Sequence, residues 1–344
     1  MIQTEDITLG KDDELTIYVI GYRKLGESII ISIGNKFLGV IDSFKVNGAF
    51  KTRDIVATMG IPIDFICWTH GDWDHTYGLA ELRKFFYEGT HVIVPTGFQA
   101  REFREYLDGY ENKEEYHYLE YSNLIKILDG TNNENYHEVN SDSLLYSFHL
   151  LKEGTTEKYS FTMSAFSPDS KKLREVNCEH IQRIFQNDGD DWFKTINLDN
   201  NIFSVGLRVQ VQRECLDTDE KHVIKLCFAG DLVDEVIEVM GERKRMDNFQ
   251  YNTFLKIPHH GSEKSKKIFE LAGRNMQFEY AACTSFASKG LPADVMLDRY
   301  RKYGTIHKTN LGEDKDYGVV KYSIPIFDRD KRIRVECEGN AGEY

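Results

Sequence analysis

Two imidazoles and two carboxylates lie within six residues of one another in the segment T-H-G-D-W-D-H, residues 69–75. His70, Asp72, Asp74 and His75 directly follow the apolar run F-I-C-W, which is typical of a buried strand. Two carboxylates this close together repel each other unless a cation neutralises them. Imidazole nitrogens and carboxylate oxygens, with no thiolate among them, suit Zn²⁺, Mn²⁺ or Fe. The cluster therefore predicts part of a metal site in preference to a polar turn.

Two later segments carry residues of the same chemical types, again directly after apolar runs. Asp231 follows K-L-C-F-A-G, and His259 and His260 follow F-L-K-I-P. Each has a simpler explanation alone, since Asp231 could cap a helix that starts near Val233 and the histidines could occupy a turn. Together with the first cluster they supply enough ligand-type groups for two divalent ions bridged by one carboxylate. Such a pair generates hydroxide at neutral pH and stabilises a phosphoryl displacement.

The surrounding sequence alternates strands and helices as an α/β protein does. Residues 15–43 contain three apolar runs separated by Gly26 and Gly34, which predicts three strands. Further strands are predicted at 64–68, 91–95, 159–166, 204–212 and 223–229. Helices are predicted at 54–59, 75–87, 233–244, 264–272 and 293–303. Strands that end in ligand-type residues place those side chains at one edge of a sheet.

Residues 101–140 differ in composition from the rest of the chain. They contain ten acidic residues, four basic residues and six tyrosines, with few aliphatic runs. This pattern predicts an acidic, tyrosine-rich insert that forms a lid or a surface for a protein partner. A solvated connector explains the same composition equally well.

Composition limits the class of protein. The 344 residues are 41% hydrophobic, which we interpret as one domain over residues 1–344. No apolar run approaches the roughly 20 residues that cross a bilayer, and the first residues lack the pattern of a signal peptide. We therefore expect a soluble, cytoplasmic protein without a membrane partner, and its six scattered cysteines as reduced thiols. The net charge of −13 opposes nonspecific binding to nucleic acid.

The motifs, taken in order, resemble the metallo-β-lactamase superfamily, and within it the soluble hydrolase domain of the ComEC/Rec2 DNA-uptake proteins. The resemblance covers about residues 15–325 and depends on the following segments: G-E-S-I-I-I-S-I-G (26–34), V-I-D-S (40–43), H-G-D-W-D-H (70–75), S-P-D-S (167–170), N-N-I-F-S-V-G-L (200–207), F-A-G-D-L (228–232) and L-K-I-P-H-H-G-S (255–262). It implies an α/β fold, the four-layer αββα sandwich, with the metals at one edge between the two sheets.

The resemblance also implies roles for individual residues. One or two divalent ions, Zn²⁺ or Mn²⁺, would be held by His70, Asp72, Asp74, His75, Asp231 and His260. Asp231 would bridge the ions, Asp42 would support the ligands from behind, and Asp74 would also take part in catalysis. His259 would protonate a leaving oxygen or hold a phosphate. Contacts with the substrate would come from Asn200, Asn201, Ser204, Lys256, Ser262 and Lys264.

Three departures from the family pattern qualify this assignment. Asp72 stands where the common signature has a second histidine, which favours harder metals such as Mn²⁺. The middle histidine of the superfamily has no equivalent, since His149, His180 and His222 all lie in unmatched contexts. Leu291 stands in place of an imidazole that would contact the substrate.

The leading functional hypothesis is a phosphodiesterase or nuclease-type enzyme in which a metal-bound hydroxide attacks phosphorus. Its substrate would contain phosphate, as a nucleotide or as nucleic acid that a partner protein delivers, for example in a defence-type complex. Two alternatives stay open. The chain could be a scaffold or regulatory subunit whose metal site has degraded, or it could hydrolyse a carboxylic ester or a lactam.

Overall fold

The computed structural model describes residues 1–2, 4–46, 48–96, 116–175, 200–214, 223–312, 314–328 and 330–344. At residues 116–121, 129 and 200 it describes the backbone alone. Within these ranges the chain forms two mixed β-sheets. The strands are β1 (Ile7–Leu9), β2 (Glu14–Tyr22), β3 (Glu27–Ile33), β4 (Phe37–Ile41), β5 (Phe65–Cys67), β6 (His91–Pro95), β7 (Tyr136–Val139), β8 (Leu144–Lys152), β9 (Lys158–Ser167), β10 (Gly206–Arg213), β11 (Val223–Phe228), β12 (Asn252–Lys256), β13 (Phe278–Cys283), β14 (Thr305–Lys308), β15 (Tyr317–Pro325), β16 (Arg334–Gly339) and β17 (Gly342–Glu343).

The two sheets pack face to face. One has the strand order β16-β15-β2-β3-β4-β5-β6-β7, and the other has the order β1-β8-β9-β10-β11-β12-β13-β14-β17. Their inner faces share one apolar core, in which Ile31 and Phe37 of the first sheet meet Phe161, Val209 and Phe254 of the second. Apolar side chains at alternate positions of each strand fill this interface, as expected for packed sheets.

Helices cover the outer face of each sheet. The described α-helices are α1 (Lys51–Met59), α2 (Trp73–Thr76), α3 (Tyr116–Gly130), α4 (Asp234–Glu242), α5 (Ile268–Leu271) and α6 (Asp294–Tyr300). Val56 of α1 and Leu124 of α3 pack on the eight-stranded sheet. Ile237 of α4, Ile268 of α5 and Leu297 of α6 pack on the nine-stranded sheet. The layers therefore follow the order α/β/β/α, as the sequence predicts.

Parallel strands bring the predicted ligands to one edge. β4 and β5 run parallel in the eight-stranded sheet, and β11, β12 and β13 run parallel in the nine-stranded sheet. The carboxyl ends of neighbouring parallel strands lie side by side. The segments that follow β4, β5, β11 and β12 therefore meet where the two sheets face each other.

Two of the predicted helices are wrong in detail. The helix predicted at 75–87 ends at Thr76, and a 3₁₀ helix, Leu79–Phe85, follows. Gly78 has φ of 89°, so an α-helix cannot continue through it. A Cβ at this position would lie 2.6 Å from the ring of Phe50, which is why the turn requires glycine. The predicted helix at 264–272 is likewise divided into a 3₁₀ turn, Glu263–Ser265, and α5.

The tyrosine-rich segment is described only in part. Residues 97–115 lie outside the described residues, so residues 101–115 of the predicted insert are not part of this description. The remainder belongs to the layered fold, because α3 buries Leu124, Ile125 and Leu128 against the outer core and β7 pairs with β6. The sequence missed β7 because its polar residues do not alternate clearly with apolar ones.

Across the described ranges, no helix is both long enough and apolar enough to span a membrane. Cys67, Cys227 and Cys283 are buried free thiols, as predicted, whereas Cys337 is an exposed one. Cys178 and Cys215 lie outside the described residues.

Candidate metal centre

Four predicted ligands converge on a single point between the sheets. His75 Nε2 and His260 Nε2 are 3.3 Å apart, and Asp74 Oδ2 lies 3.0 Å from His260 Nε2 and 3.7 Å from His75 Nε2. The Asp231 carboxylate spans both rings, with Oδ1 3.5 Å from His75 Nε2 and Oδ2 3.5 Å from His260 Nε2. Two ligands of one tetrahedral Zn²⁺ are roughly 3.3 Å apart, given metal–nitrogen bonds of about 2.0 Å. The distance between the two imidazole nitrogens, and the distances from them to these carboxylate oxygens, are therefore all 3.0–3.7 Å, close to the spacing of ligands around one cation.

The Asp42 carboxylate fixes the ring of His75 from behind. Asp42 Oδ2 lies 2.7 Å from His75 Nδ1 and also accepts the Thr69 hydroxyl at 2.6 Å, while Oδ1 accepts the Thr69 backbone N–H at 2.7 Å. Because an ionised carboxylate only accepts hydrogen bonds, the proton of a neutral His75 lies on Nδ1. Its Nε2 lone pair then points at the ligand cluster. Asp42 thus has the supporting position that the resemblance implies.

The same carboxylate orients His70 through a hydroxyl. Thr69 Oγ1 donates to Asp42, so it accepts from His70 Nδ1 at 2.9 Å. His70 Nε2 therefore presents its lone pair on the other side, where Asp72 Oδ2 lies 3.6 Å away. The rings of His70 and His75 are 4.3 Å apart between centroids. His70 and Asp72 therefore form a second pair of donors beside the first four.

Burial and opposite charge together set the protonation states. Burial opposes the charged form of Asp231, yet His260, His75 and His259 hold its pKa well below the ordinary value. Burial likewise opposes the charged form of Asp74, but His75 and His260 lower its pKa. Both carboxylates are therefore ionised at neutral pH. Burial disfavours a charged His75 as well, yet Asp231, Asp74 and Asp42 raise its pKa well above the ordinary value.

The donor set fits a divalent cation. Among the described residues, the buried atoms without a hydrogen-bond partner include His70 Nε2, Asp74 Oδ2 and Asp231 Oδ1, all of which face the cluster. A buried polar atom without a partner costs about 1–3 kcal/mol, and buried polar groups are rarely left in that state. Two imidazole nitrogens that face each other beside two carboxylates form a donor set that suits a divalent cation such as Zn²⁺ or Mn²⁺.

The backbone at the site is strained at non-glycine positions. Asp42 has φ of 54°, and His259 and His260 both have φ of 49°. Left-handed conformations of this kind cost of order 1–3 kcal/mol each and concentrate at functional sites. Gly230, with φ of 54°, precedes Asp231, and a Cβ there would lie 2.5 Å from Ser204 Oγ. The turn that presents Asp231 therefore requires glycine.

His259 lies beside the cluster with its ring in a different position from His260. Among the described atoms, its Nδ1 is buried and has no hydrogen-bond partner. Burial lowers the pKa of His259, although the charge of Asp231 opposes this effect. The geometry therefore makes His260, whose Nε2 faces Asp74, Asp231 and His75, the better ligand of the two.

The predicted substrate contacts receive mixed support. Lys256 is wrong as a substrate contact, because its side chain is fully buried and its ammonium is 2.5 Å from Glu27 Oε2. Ser204 is also inaccessible, since it is 0% exposed and its hydroxyl accepts the backbone N–H of Asp231. The hydroxyl oxygen of Ser262 accepts the backbone N–H of Lys264 and caps the 3₁₀ turn Glu263–Ser265, so it already has a hydrogen-bond partner.

The remaining predicted contacts differ in accessibility. Lys264 is exposed and near enough to His259 to affect its charge. Asn201 is buried within the 3₁₀ helix Asn200–Phe203, which directly precedes Ser204. The side chain of Asn200 is outside the description.

The described residues supply no middle histidine. His149 lies on β8, where its ring contacts Asp6 and Glu214, and His180 and His222 fall outside the described ranges. β9 ends at the metal edge with Ser167, whose buried hydroxyl donates to the carbonyl oxygen of Ser204. The His70–Asp72 pair therefore gains no third imidazole from the part of the chain that is described.

Glu27 is the residue at this site that sequence reasoning missed. Glu27, His75, Asp231 and His260 each offer one possible ligand atom, and these atoms lie within 4.8 Å of one another. Burial opposes the ionisation of Glu27, but Lys256 lowers its pKa. Lys256 already neutralises this carboxylate, whereas Asp74 Oδ2 lies 3.0 Å from His260 Nε2, so Asp74 is the better candidate for a fourth ligand.

An open cavity of about 610 Å³ adjoins the HGDWDH segment. Phe44, Phe50, Trp73 and Tyr77 provide much of its wall, and Trp73 lies between the two aspartates of the segment. A volume of this size is ordinary for a small-molecule site.

Residues 47–140 match the model of the metallo-beta-lactamase superfamily, a segment that includes the HGDWDH motif. That segment is therefore similar to the metallo-beta-lactamase superfamily, and the match does not extend over the rest of the chain. No curated protein matches the chain. A crystal structure of a long form RNase Z from yeast is similar to it over 80% of this chain, with 12% identity and a TM-score of 0.35. This chain spans 38% of the length of that protein.

Proposed function

We propose that this protein is a metal-dependent phosphodiesterase of the ComEC-like type, with nucleic acid or a nucleotide as its substrate. One observation supports the proposal most strongly. Asp74, His75, Asp231 and His260 are buried in segments that follow strands of both sheets, and the Nε2 atoms of the two histidines lie 3.3 Å from each other and 3.0–3.7 Å from the carboxylate oxygens. Mixed imidazole and carboxylate donors favour Zn²⁺ or Mn²⁺.

The chemistry divides between the ion and the side chains around it. When bound, a divalent ion makes water nucleophilic at neutral pH and polarises a phosphoryl oxygen. His259 is beside the ligands, and its pKa is lowered by burial, so a neutral imidazole is available to exchange a proton with a leaving oxygen. The exposed ammonium of Lys264 can bind a phosphate at the rim.

A net charge of −13 favours a small phosphodiester, or nucleic acid delivered by a partner, over free DNA. The tyrosine-rich residues 101–140 would contact such a partner protein. Within the described ranges no third imidazole lies beside His70 and Asp72, which supports a second candidate, a scaffold that binds metal weakly and does not turn over substrate.

Metal content and hydrolysis of bis-p-nitrophenyl phosphate, measured on the same preparations with Mn²⁺ or Zn²⁺, test the proposal. Wild type is compared with Asp74→Asn and with Asp298→Asn, a matched change at an exposed position. We expect bound metal and turnover in wild type and Asp298→Asn, and loss of both in Asp74→Asn.

Other outcomes would redirect the assignment. Wild type without stoichiometric metal or turnover would support the scaffold. Metal-dependent hydrolysis of p-nitrophenyl acetate or a β-lactam, with none of the phosphodiester, would indicate the ester or lactam hydrolase instead.

A further inference from the structure

A buried chain of polar groups runs behind His260, away from the metal centre. Lys256 Nζ lies 2.5 Å from Glu27 Oε2, the Thr284 hydroxyl donates to the same oxygen at 2.7 Å, and His260 Nδ1 lies 2.8 Å from Thr284 Oγ1. All four side chains are at most 1% exposed. The chain joins the two sheets, because Glu27 begins β3 in one sheet while the other three residues follow or end β12 and β13 in the second.

The direction of each hydrogen bond follows from the chemistry of the groups. Glu27, paired with the ammonium of Lys256, is ionised and can only accept, so the single hydroxyl proton of Thr284 must point to it. The Thr284 oxygen is then left as an acceptor toward His260. The proton of a neutral His260 must therefore lie on Nδ1, which leaves a lone pair on Nε2.

The reverse arrangement is unfavourable. If His260 carried its proton on Nε2, its bare Nδ1 would need the Thr284 hydroxyl proton, and two oxygens 2.7 Å apart at Thr284 and Glu27 would have no hydrogen between them. Leaving a buried carboxylate without that donor costs more than losing a neutral hydrogen bond.

We propose that Glu27, acting through Thr284, is a positioning residue that holds His260 in the Nδ1-protonated tautomer required of a metal ligand. Lys256 neutralises the buried charge of Glu27 and has no contact with substrate. This inference rests on the proposed metal centre for its functional meaning. The arrangement repeats the one at His70, where Thr69 connects the ring to Asp42. At each sheet, a threonine hydroxyl that donates to a carboxylate thus accepts the Nδ1 hydrogen of a histidine and fixes the tautomer of that ring.

The tautomer is measurable by long-range ¹H–¹⁵N NMR on protein labelled at histidine. Metal-free wild type is examined at a pH high enough for His260 to be neutral, and the Zn²⁺-loaded form is examined at neutral pH. We expect the hydrogen of His260 on Nδ1 in both. A wild-type spectrum with the hydrogen on Nε2 would overturn the proposal whether or not the protein is an enzyme.

Variants test the connection between Glu27 and His260. Thr284→Val keeps the shape of the side chain and removes the hydroxyl, whereas Thr284→Ser keeps the hydroxyl. Thr90→Val is the control, because Thr90 is a buried threonine that directly precedes β6 and donates its hydroxyl to the carbonyl oxygen of Ile63. Zn²⁺ affinity is measured by competition with a chromophoric chelator. We expect a 10–100-fold loss in Thr284→Val, as is usual for partners behind a ligand, with near wild-type affinity in Thr284→Ser and Thr90→Val.

The double variant Glu27→Met/Lys256→Met provides a second route if Thr284→Val does not fold, because it removes both buried charges together. Methionine does not replace the carboxylate that accepts the Thr284 hydroxyl, so part of the His260 population should move its hydrogen to Nε2 and Zn²⁺ affinity should fall. Wild-type affinity and an unchanged tautomer in either folded variant would refute the role of Glu27. If wild type binds no Zn²⁺, the proposed enzyme fails, but the metal-free tautomer still decides this inference.

Discussion

The substitution Asp42→Asn should weaken both the fold and the metal centre. Each partner of the Asp42 carboxylate is a donor: the backbone N–H and the hydroxyl of Thr69, and Nδ1 of His75. An asparagine amide has one accepting oxygen, so in either orientation its NH₂ group faces at least one donor. The better orientation keeps the oxygen toward His75 and the hydroxyl of Thr69 and loses the backbone N–H.

The size of the effect follows from this count. A buried donor without a partner costs about 1–3 kcal/mol, and the two remaining hydrogen bonds weaken because their acceptor is no longer charged. We expect a loss of about 2–4 kcal/mol in the free energy of unfolding. At about 2.1 cal/mol/K per residue, a chain of 344 residues has an unfolding entropy near 0.7 kcal/mol/K, so Tm should fall by about 3–6 °C. Metal affinity should fall about 10–100-fold, because His75 loses its charged support.

Calorimetry of the metal-free protein and a chelator competition assay measure the two effects separately. Asp142→Asn is the matched control, because Asp142 also has positive φ, at 85°, while its ion pair with Arg245 is exposed. Exposed pairs contribute at most about 1 kcal/mol, so this control should stay within about 2 °C of wild type and keep its metal affinity. If Asp42→Asn behaved like Asp142→Asn in both assays, the reasoning about Asp42 would be refuted.

Three further predictions concern other parts of the molecule. His259→Asn, in which asparagine tolerates the left-handed backbone, should keep the metal content of wild type and lose at least about 10-fold in kcat; a loss of metal would instead make His259 a ligand. Gly230→Ala should lower the free energy of unfolding by more than about 2 kcal/mol in urea titrations, because a Cβ would lie 2.5 Å from Ser204 Oγ at φ of 54°, and unchanged stability would contradict that turn. Burial and His137 lower the pKa of His91 to about 4, so between pH 6.5 and 4 the unfolded chain binds a proton at this residue and the folded chain does not. The free energy of unfolding should therefore decrease as pH falls from about 6.5 toward 4, and His91→Gln should flatten that part of the stability curve.

The position of the candidate ligands could be predicted from the sequence because each lies in the segment that follows a strand. A short apolar run followed within a few residues by a histidine or an aspartate places that side chain near the sheet edge, so local pattern was sufficient to bring together His75, Asp231 and His260. The choice of His260 over His259 came from the resemblance alone. In the structure it depends on two consecutive left-handed residues, which turn the two rings in different directions.

The buried ion pair between Lys256 and Glu27 could not be predicted from local sequence patterns, although one signal for it was present. A lysine inside the apolar strand F-L-K-I should have suggested a buried ion pair, because lysine is almost never fully buried without a partner. Its partner could not be identified, since Glu27 lies 229 positions earlier in the sequence. Interpreting Lys256 as a phosphate contact followed the chemistry of its side chain and overlooked the burial of its strand.

The Glu27–Lys256 pair explains how ligands from separate sheets reach a common point. A buried ion pair adds little net stability, because desolvation of both charges offsets their attraction. It does restrict geometry, however, since any sliding of one sheet over the other would separate two buried opposite charges. His75 lies in α2, which follows β5 of the eight-stranded sheet, and His260 follows β12 of the nine-stranded one, yet their Nε2 atoms must lie within about 3.3 Å of each other to share an ion. A pair that spans the same two sheets one side chain behind His260 holds that separation in the absence of metal. Glu27 and Lys256 therefore serve the metal centre through the alignment of the sheets as well as through the proton on His260.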